Sequence, residues 1–357
     1  MGNSVDSVRE LASQVRFSLD ESDTRNGMVP ERRNFAKSMA SHSDLKISDE
    51  VTPGLKDSIG RLCTRIGMPA EAIHAYVYAS HEIQASCISS GDDECVIRFS
   101  SGLVDILSAT EFEFVLGHEL AHFLLRHERP ELEGVSATAE DFIFARYREI
   151  SADRFGLIAC GSLDVAIRAL MKSVSGLTGA HLRFDVGRFL AQIRDIEGIN
   201  WSNETHPTIL VRCRALLWYS LACRIDATSD LPDSTALKEV ERKIERDFVR
   251  YLDGPVREQI EEERWNLAMW VALYRMCDNK MFSAEDQRLF SERFGKSTLA
   301  SAKSFLGDLD AESVGAELEV RVRGARERLL RIAPSVTEET IAEADGWAQT
   351  HKRRASE

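Results

Sequence analysis

Residues 108–127 read SATEFEFVLGHELAHFLLRH, and the rest of the chain is read outward from them. Ser108 with Glu111 three residues on is a capping-box pair, so a helix is predicted to start here, and the apolar run that follows carries it forward. Inside that run lie His118, Glu119 and His122. Histidines four residues apart project from one helix face and can share a metal ion. Glu119 lies about 100° around the helix, within reach of a water beside that ion. A helix with two incidental histidines is the competing reading, and the surroundings argue against it. His127, five residues past His122, points to a different face of an ideal helix and is expected at the surface.

Upstream, GLKDSIGRLCTRIGM (54–68) has helical periodicity, while AIHAYVYAS (72–80), HEIQASCIS (81–89) and ECVIRFS (94–100) read as short strands rich in β-branched and aromatic residues. Downstream, Pro130 and Gly134 break the chain in an acidic loop, and a second helix is predicted from Ala139 to Cys160, closed by Gly161. A third is expected to begin at Pro207, a residue suited to a first helical turn. A tetrahedral catalytic zinc needs a third protein ligand and one open position. The second helix offers Glu149, with Asp153 one turn on and on the same face. Glu149 can complete the ligand set. Asp153 can accept a hydrogen bond from the outer ring nitrogen of a ligating histidine and so fix its tautomer.

Taken together, HELAH, then EISAD with Arg154 and Gly156, then Thr205-His206-Pro207 with Arg212, resemble the signature blocks of the HtpX-like and CAAX prenyl endopeptidase family of gluzincin zinc metallopeptidases. The strand and turn leading into the zinc motif are similar too, and the resemblance covers about Val51 to Cys223. It implies a zincin-like domain with one zinc per chain held by His118, His122 and Glu149. Glu119 would then be the general base and Asp153 would support a ligand. It further implies His206 as a stabiliser of the oxyanion and Arg212 as an electrostatic support, although a histidine before a proline also serves as an ordinary helix cap. The membrane-spanning helices of many relatives have no counterpart in this sequence.

At 357 residues, with 43% hydrophobic and 29% charged, the composition is that of a globular chain. The net charge of −13, without a compensating basic block, argues against nucleic acid as a ligand. No apolar run is long enough for a membrane span or a secretory signal core, so a soluble cytoplasmic protein is expected. Seven widely spaced cysteines without a CxxC pair read as buried free thiols. The expected class is α+β, mostly α, in three parts: a polar lead-in over 1–50, a metallopeptidase domain with a small sheet over 51–228, and an all-α domain over 229–357 of five or six helices. In that last part Trp265, Trp270 and Tyr274 fall at helical spacing and are expected in its core, and DNKMFSAED (278–286) reads as a turn and helix cap. The functional expectation is a zinc endopeptidase acting on protein or peptide substrates, with a regulatory partner or cover supplied by the C-terminal helices. The alternative is an inactive or gated relative serving as a helical interaction or sensor module, and retention of Glu119 disfavours it.

Overall fold

The computed structural model of the chain describes residues 4–20, 40, 42–127, 137–196, 204–223, 234–277 and 282–354. They form two compact units, Met1–Val135 with Ile143–Leu252, and Ser136–Phe142 with Asp253–Glu357. The described residues are mostly helical, with one four-stranded sheet among them. Among the described residues no helix is long and apolar enough to cross a membrane.

The first unit opens with helix α1 (Val5–Val15), where the Ser4 hydroxyl accepts the Ser7 N–H at 3.2 Å as an N-cap. Val5, Val8, Ala12 and Val15 share one buried stripe. Over residues 4–20, therefore, the polar lead-in is a packed element, because four apolar positions at helical spacing are enough to anchor it despite polar residues between them. The ESDTRNG stretch lies outside the described residues.

After strand β1 (Leu45–Lys46) and helix α2 (Pro53–Ile66) come β2 (Ile73–Tyr78), β3 (Ala85–Ser89) and β4 (Cys95–Ser100), in the spatial order β1-β2-β4-β3. β4 is central, pairing parallel to β2 (Ile73 opposite Cys95) and antiparallel to β3 (Ala85 opposite Phe99). Cys95, Val96, Ile97 and Phe99 are fully buried, as a strand covered on both faces requires. β3 is left at the sheet edge. At the end of β4 the Ser100 hydroxyl accepts from Gln84 N–H (3.1 Å) and Leu103 N–H (3.2 Å) and donates to Glu82 C=O (2.6 Å). One side chain thus caps helix α3 (Ser101–Ile106) and pins the approach to β3.

Helix α4 (Ala109–Leu124) starts with the predicted capping box, Ser108 and Glu111 bonding reciprocally. It packs on α5 (Ala139–Cys160), which has the expected bounds. The two approach closely at two glycines. A Cβ on Gly117 would lie 2.4 Å from Ala159 Cβ, and one on Gly156 would lie 2.8 Å from the Phe114 carbonyl oxygen. Since backbone cannot yield cheaply, Gly156→Ala is expected to lower unfolding free energy by about 1–3 kcal/mol, the usual cost of overpacking. An unchanged denaturant midpoint would show that the helices part without cost.

Helices α6 (Leu163–Ser175), α7 (Val186–Ala191), α8 (Ile209–Cys223) and α9 (Ser234–Phe248) follow. α9 packs against α8 within the first unit. The expected division near 226–233 falls outside the described residues, and the compact units separate at Leu252 and Asp253, inside a π-type stretch, Val249–Asp253. The second unit holds α10 (Gly254–Met276), α11 (Ala284–Phe294), α12 (Lys296–Gly307), α13 (Val314–Ile332) and α14 (Pro334–Arg354). Leu267, Leu273, Leu318 and Leu329 are fully buried there, with Ala325 and Ala344 allowing close helix approach. Trp270 and Tyr274 pack against this core as expected, but Trp265 is 45% exposed and touches Phe294 edge-on from the rim. All seven cysteines are free, six of them buried and Cys87 half-buried.

Candidate metal centre

His118 and His122 sit one turn apart on α4, and their Nε2 atoms converge to 3.3 Å. Glu149 enters from α5 with Oε2 3.5 Å from His118 Nε2 and Oε1 3.5 Å from His122 Nε2. One donor atom from each of these residues lies within 4.8 Å of the others, so the three could hold a metal ion. Two features fit a cation here. Two imidazole nitrogens and a carboxylate converge, which is the donor set of a catalytic zinc. Glu149 Oε2 is also buried and accepts no hydrogen bond among the described residues, although the Arg212 guanidinium lies 3.4 Å away. A carboxylate oxygen desolvated without a donor is costly unless a cation compensates it.

The outer nitrogens are held as firmly as the inner ones. His118 Nδ1 meets Asp153 Oδ1 at 3.1 Å, and Asp153 is gripped by Arg212, Nε donating to Oδ2 at 2.8 Å and Nη2 to Oδ1 at 2.6 Å. Burial alone would raise the Asp153 carboxyl, but Arg212 and His118 bring it down to about 2. It is therefore an acceptor from both, and His118 presents Nδ1–H to it. Burial lowers His118 as well, yet Glu149 and Asp153 together overcome it and favour positive charge at this ring.

His122 has a different partner, which the sequence reading placed at the surface. His127 is 7% exposed, and its Nδ1 lies 2.9 Å from His122 Nδ1. The reason is the end of α4. Arg126 has φ 56°, and the His127 N–H bonds back to His122 C=O (2.8 Å) while the Arg126 N–H bonds to Phe123 C=O (3.1 Å). This pair of bonds is a Schellman motif with arginine at the left-handed position where glycine is usual. The turn folds His127 back over the last helical turn. The side-chain contact that usually accompanies the motif is apolar; here it is a bond between two imidazoles. Beyond it, His127 Nε2 meets Asp20 Oδ2 at 3.1 Å.

Glu119 and His206 border a cleft of about 540 Å³ that also takes in Gln84, Leu103, Phe114, Leu170 and Val174. Burial, aided by Glu149 and opposed by His118, pushes the Glu119 carboxyl up to about 7. His206 is exposed, with Nε2 3.6 Å from Glu149 Oε1 and Nδ1 2.9 Å from Thr205 Oγ1. The structure thus brings His118, Glu119, His122, Glu149, Asp153, His206 and Arg212 to one site. Sequence reasoning missed Asp20 and His127, and it missed α6, which supplies Leu170, Ser173 and Val174 to the cleft wall.

Residues 50–143, which include α4, match the model of peptidase family M48. Over this segment the chain is similar to that family. The chain is also similar to a protein described as a Protease HtpX homolog from Pelotomaculum thermopropionicum, 34% identical over 76 residues, covering 21% of this chain and 26% of that protein. The Metalloprotease YcaL of Escherichia coli K12 is 36% identical over 93 residues, covering 25% of this chain and 35% of that protein. The chain thus spans from a quarter to about a third of the length of these curated relatives. No solved structure matches it.

Proposed function

We propose that the chain is a zinc-dependent endopeptidase, with His118, His122 and Glu149 holding one zinc and Glu119 as general base. The observation that carries this reading is the convergence of three donor atoms within 4.8 Å beside Glu119, at the floor of an open cleft. When bound, zinc supplies Lewis acidity, polarising the scissile carbonyl and making a water acidic enough to ionise near neutrality. Glu119 accepts the proton of that water as its oxygen attacks the carbonyl carbon, then returns it to the departing amine nitrogen. A carboxyl raised to about 7 by burial is suited to both transfers. If the Thr205 hydroxyl donates to His206 Nδ1, the ring keeps Nε2–H free for the oxyanion. An extended peptide would run beside the outermost strand β3, where main-chain bonds align substrates of any sequence and the apolar wall of Leu103, Phe114 and Leu170 accepts a side chain. Flexible or unfolded protein segments are the substrate class this favours.

The full chain is expected to carry about one zinc by elemental analysis, to cleave casein, to stop on chelation and to resume when zinc is returned. Zinc kept at wild-type affinity by His118→Ala with His122→Ala would sink the site. A protein that binds zinc but cleaves no unfolded substrate would favour the interaction-module alternative.

A further inference from the structure

The first unit contains a chain of hydrogen bonds that no part of the reaction above uses. It begins in the N-terminal segment, where Asp20 is fully buried. Its carboxylate accepts Arg16 Nε–H at 3.0 Å and the Ser151 hydroxyl at 2.6 Å, and faces His127 Nε2 at 3.1 Å. The segment carrying it is clamped onto α5: Phe17 N–H donates to Ser151 Oγ at 3.1 Å, and the Phe17 ring packs on Tyr147 and under Arg154. Tyr147, Ser151 and Arg154 recur at helical spacing on the face of α5 opposite Glu149 and Asp153. α5 therefore presents the metal-site carboxylates on one side and docks the N-terminal segment on the other.

We infer that Asp20 and His127 form a positioning relay that sets the tautomer and orientation of His122, so that docking of residues 4–20 helps prepare the metal site. This rests on the metal-site reading above. The logic follows the donors. An ionised carboxylate can only accept, so His127 must present Nε2–H to Asp20. A neutral ring with its proton there has a lone pair on Nδ1. That lone pair faces His122 Nδ1 at 2.9 Å and accepts only if His122 carries its proton on Nδ1. The Nε2 lone pair of His122 is then directed at the point where Glu149 and His118 converge. Asp153 does the same for His118 directly; His122 is served through a second imidazole and by a residue more than a hundred positions away. The left-handed Arg126 is what puts His127 in line. Asp20 and His127 are positioning residues: neither touches the cleft.

The test uses the full chain. In metal-free wild type, long-range proton–nitrogen NMR is expected to show His122 protonated on Nδ1. His127→Phe keeps a ring of similar shape but offers no acceptor. It is expected to weaken zinc binding, measured by chelator competition, by about 10–100-fold. Cobalt substituted for zinc should show an altered ligand-field spectrum in the same variant. His127→Asn, which keeps an acceptor near the Nδ1 position, should recover most of that loss. His122 protonated on Nε2 in the metal-free wild type would overturn the relay whatever the variants do. So would wild-type zinc affinity in His127→Phe, or equal losses in the Phe and Asn variants tracking equal falls in melting temperature. Wild type that binds no zinc would overturn the metal site itself, and the relay with it.

Discussion

Glu119→Gln is expected to retain zinc at wild-type occupancy and to lose peptide hydrolysis by at least ~100-fold, the lower range for removing a positioned general base. The substitution is nearly isosteric, and the residue is not among the three whose donor atoms converge. What disappears is the ability to take a proton. Burial is the main reason the carboxyl stands at about 7, and a neutral amide in the same place relieves that desolvation, so the variant should unfold no more easily than wild type. Glu149→Ala should behave in the opposite order. It removes a donor whose oxygens lie 3.5 Å from both ring nitrogens, so zinc affinity falls first and activity follows. The pair is read by zinc content and initial rate measured on the same preparations. Equal loss of zinc in both variants would mean that the roles of base and ligand are wrongly assigned.

The parts of this site that were legible in the sequence are those whose signals are local. The capping box at Ser108, the four-residue spacing of the histidines and the pairing of Glu149 with Asp153 each fit within one or two helical turns; the structure has the capping box and brings donor atoms of His118, His122 and Glu149 within 4.8 Å of one another. Three strands and helix α5 were legible for the same reason, from β-branched runs and from Gly161 at the helix end. His127 was not, because an ideal helix period carries its side chain away from His122 and only the left-handed Arg126 brings it back. Glycine there would have announced the turn; arginine hides it. Asp20 was illegible for a different reason. Its contact with His127 crosses 107 positions, and no local spacing within the polar lead-in points to a partner that far along the chain. α6 could have been found from Ser162 before it and Gly176 after it, ordinary start and stop signals that the search for chemistry passed over.

Asp153→Ala is expected to cost about 3–5 kcal/mol of unfolding free energy in the metal-free chain, because it leaves the Arg212 guanidinium buried without its bidentate partner. Arg212 is 8% exposed, so little water can replace the lost carboxylate, and Glu149, 3.4 Å from Nη1, compensates it in part. The same substitution takes the acceptor from His118 Nδ1, which should weaken zinc binding by about 10–100-fold. The two consequences have different origins, and a second variant separates them. Replacing both partners by apolar residues of similar size, Asp153→Leu with Arg212→Met, removes the unpaired charge and should return most of the stability, since an apolar pair often substitutes for a buried ion pair at little net cost. It gives His118 no acceptor, so zinc affinity should stay low. Denaturant unfolding of the metal-free proteins and chelator competition for zinc read the two quantities independently. Recovery of both in the double variant would mean that Asp153 acts through stability alone, and persistence of both losses would mean that Arg212 has a role at the site beyond holding Asp153.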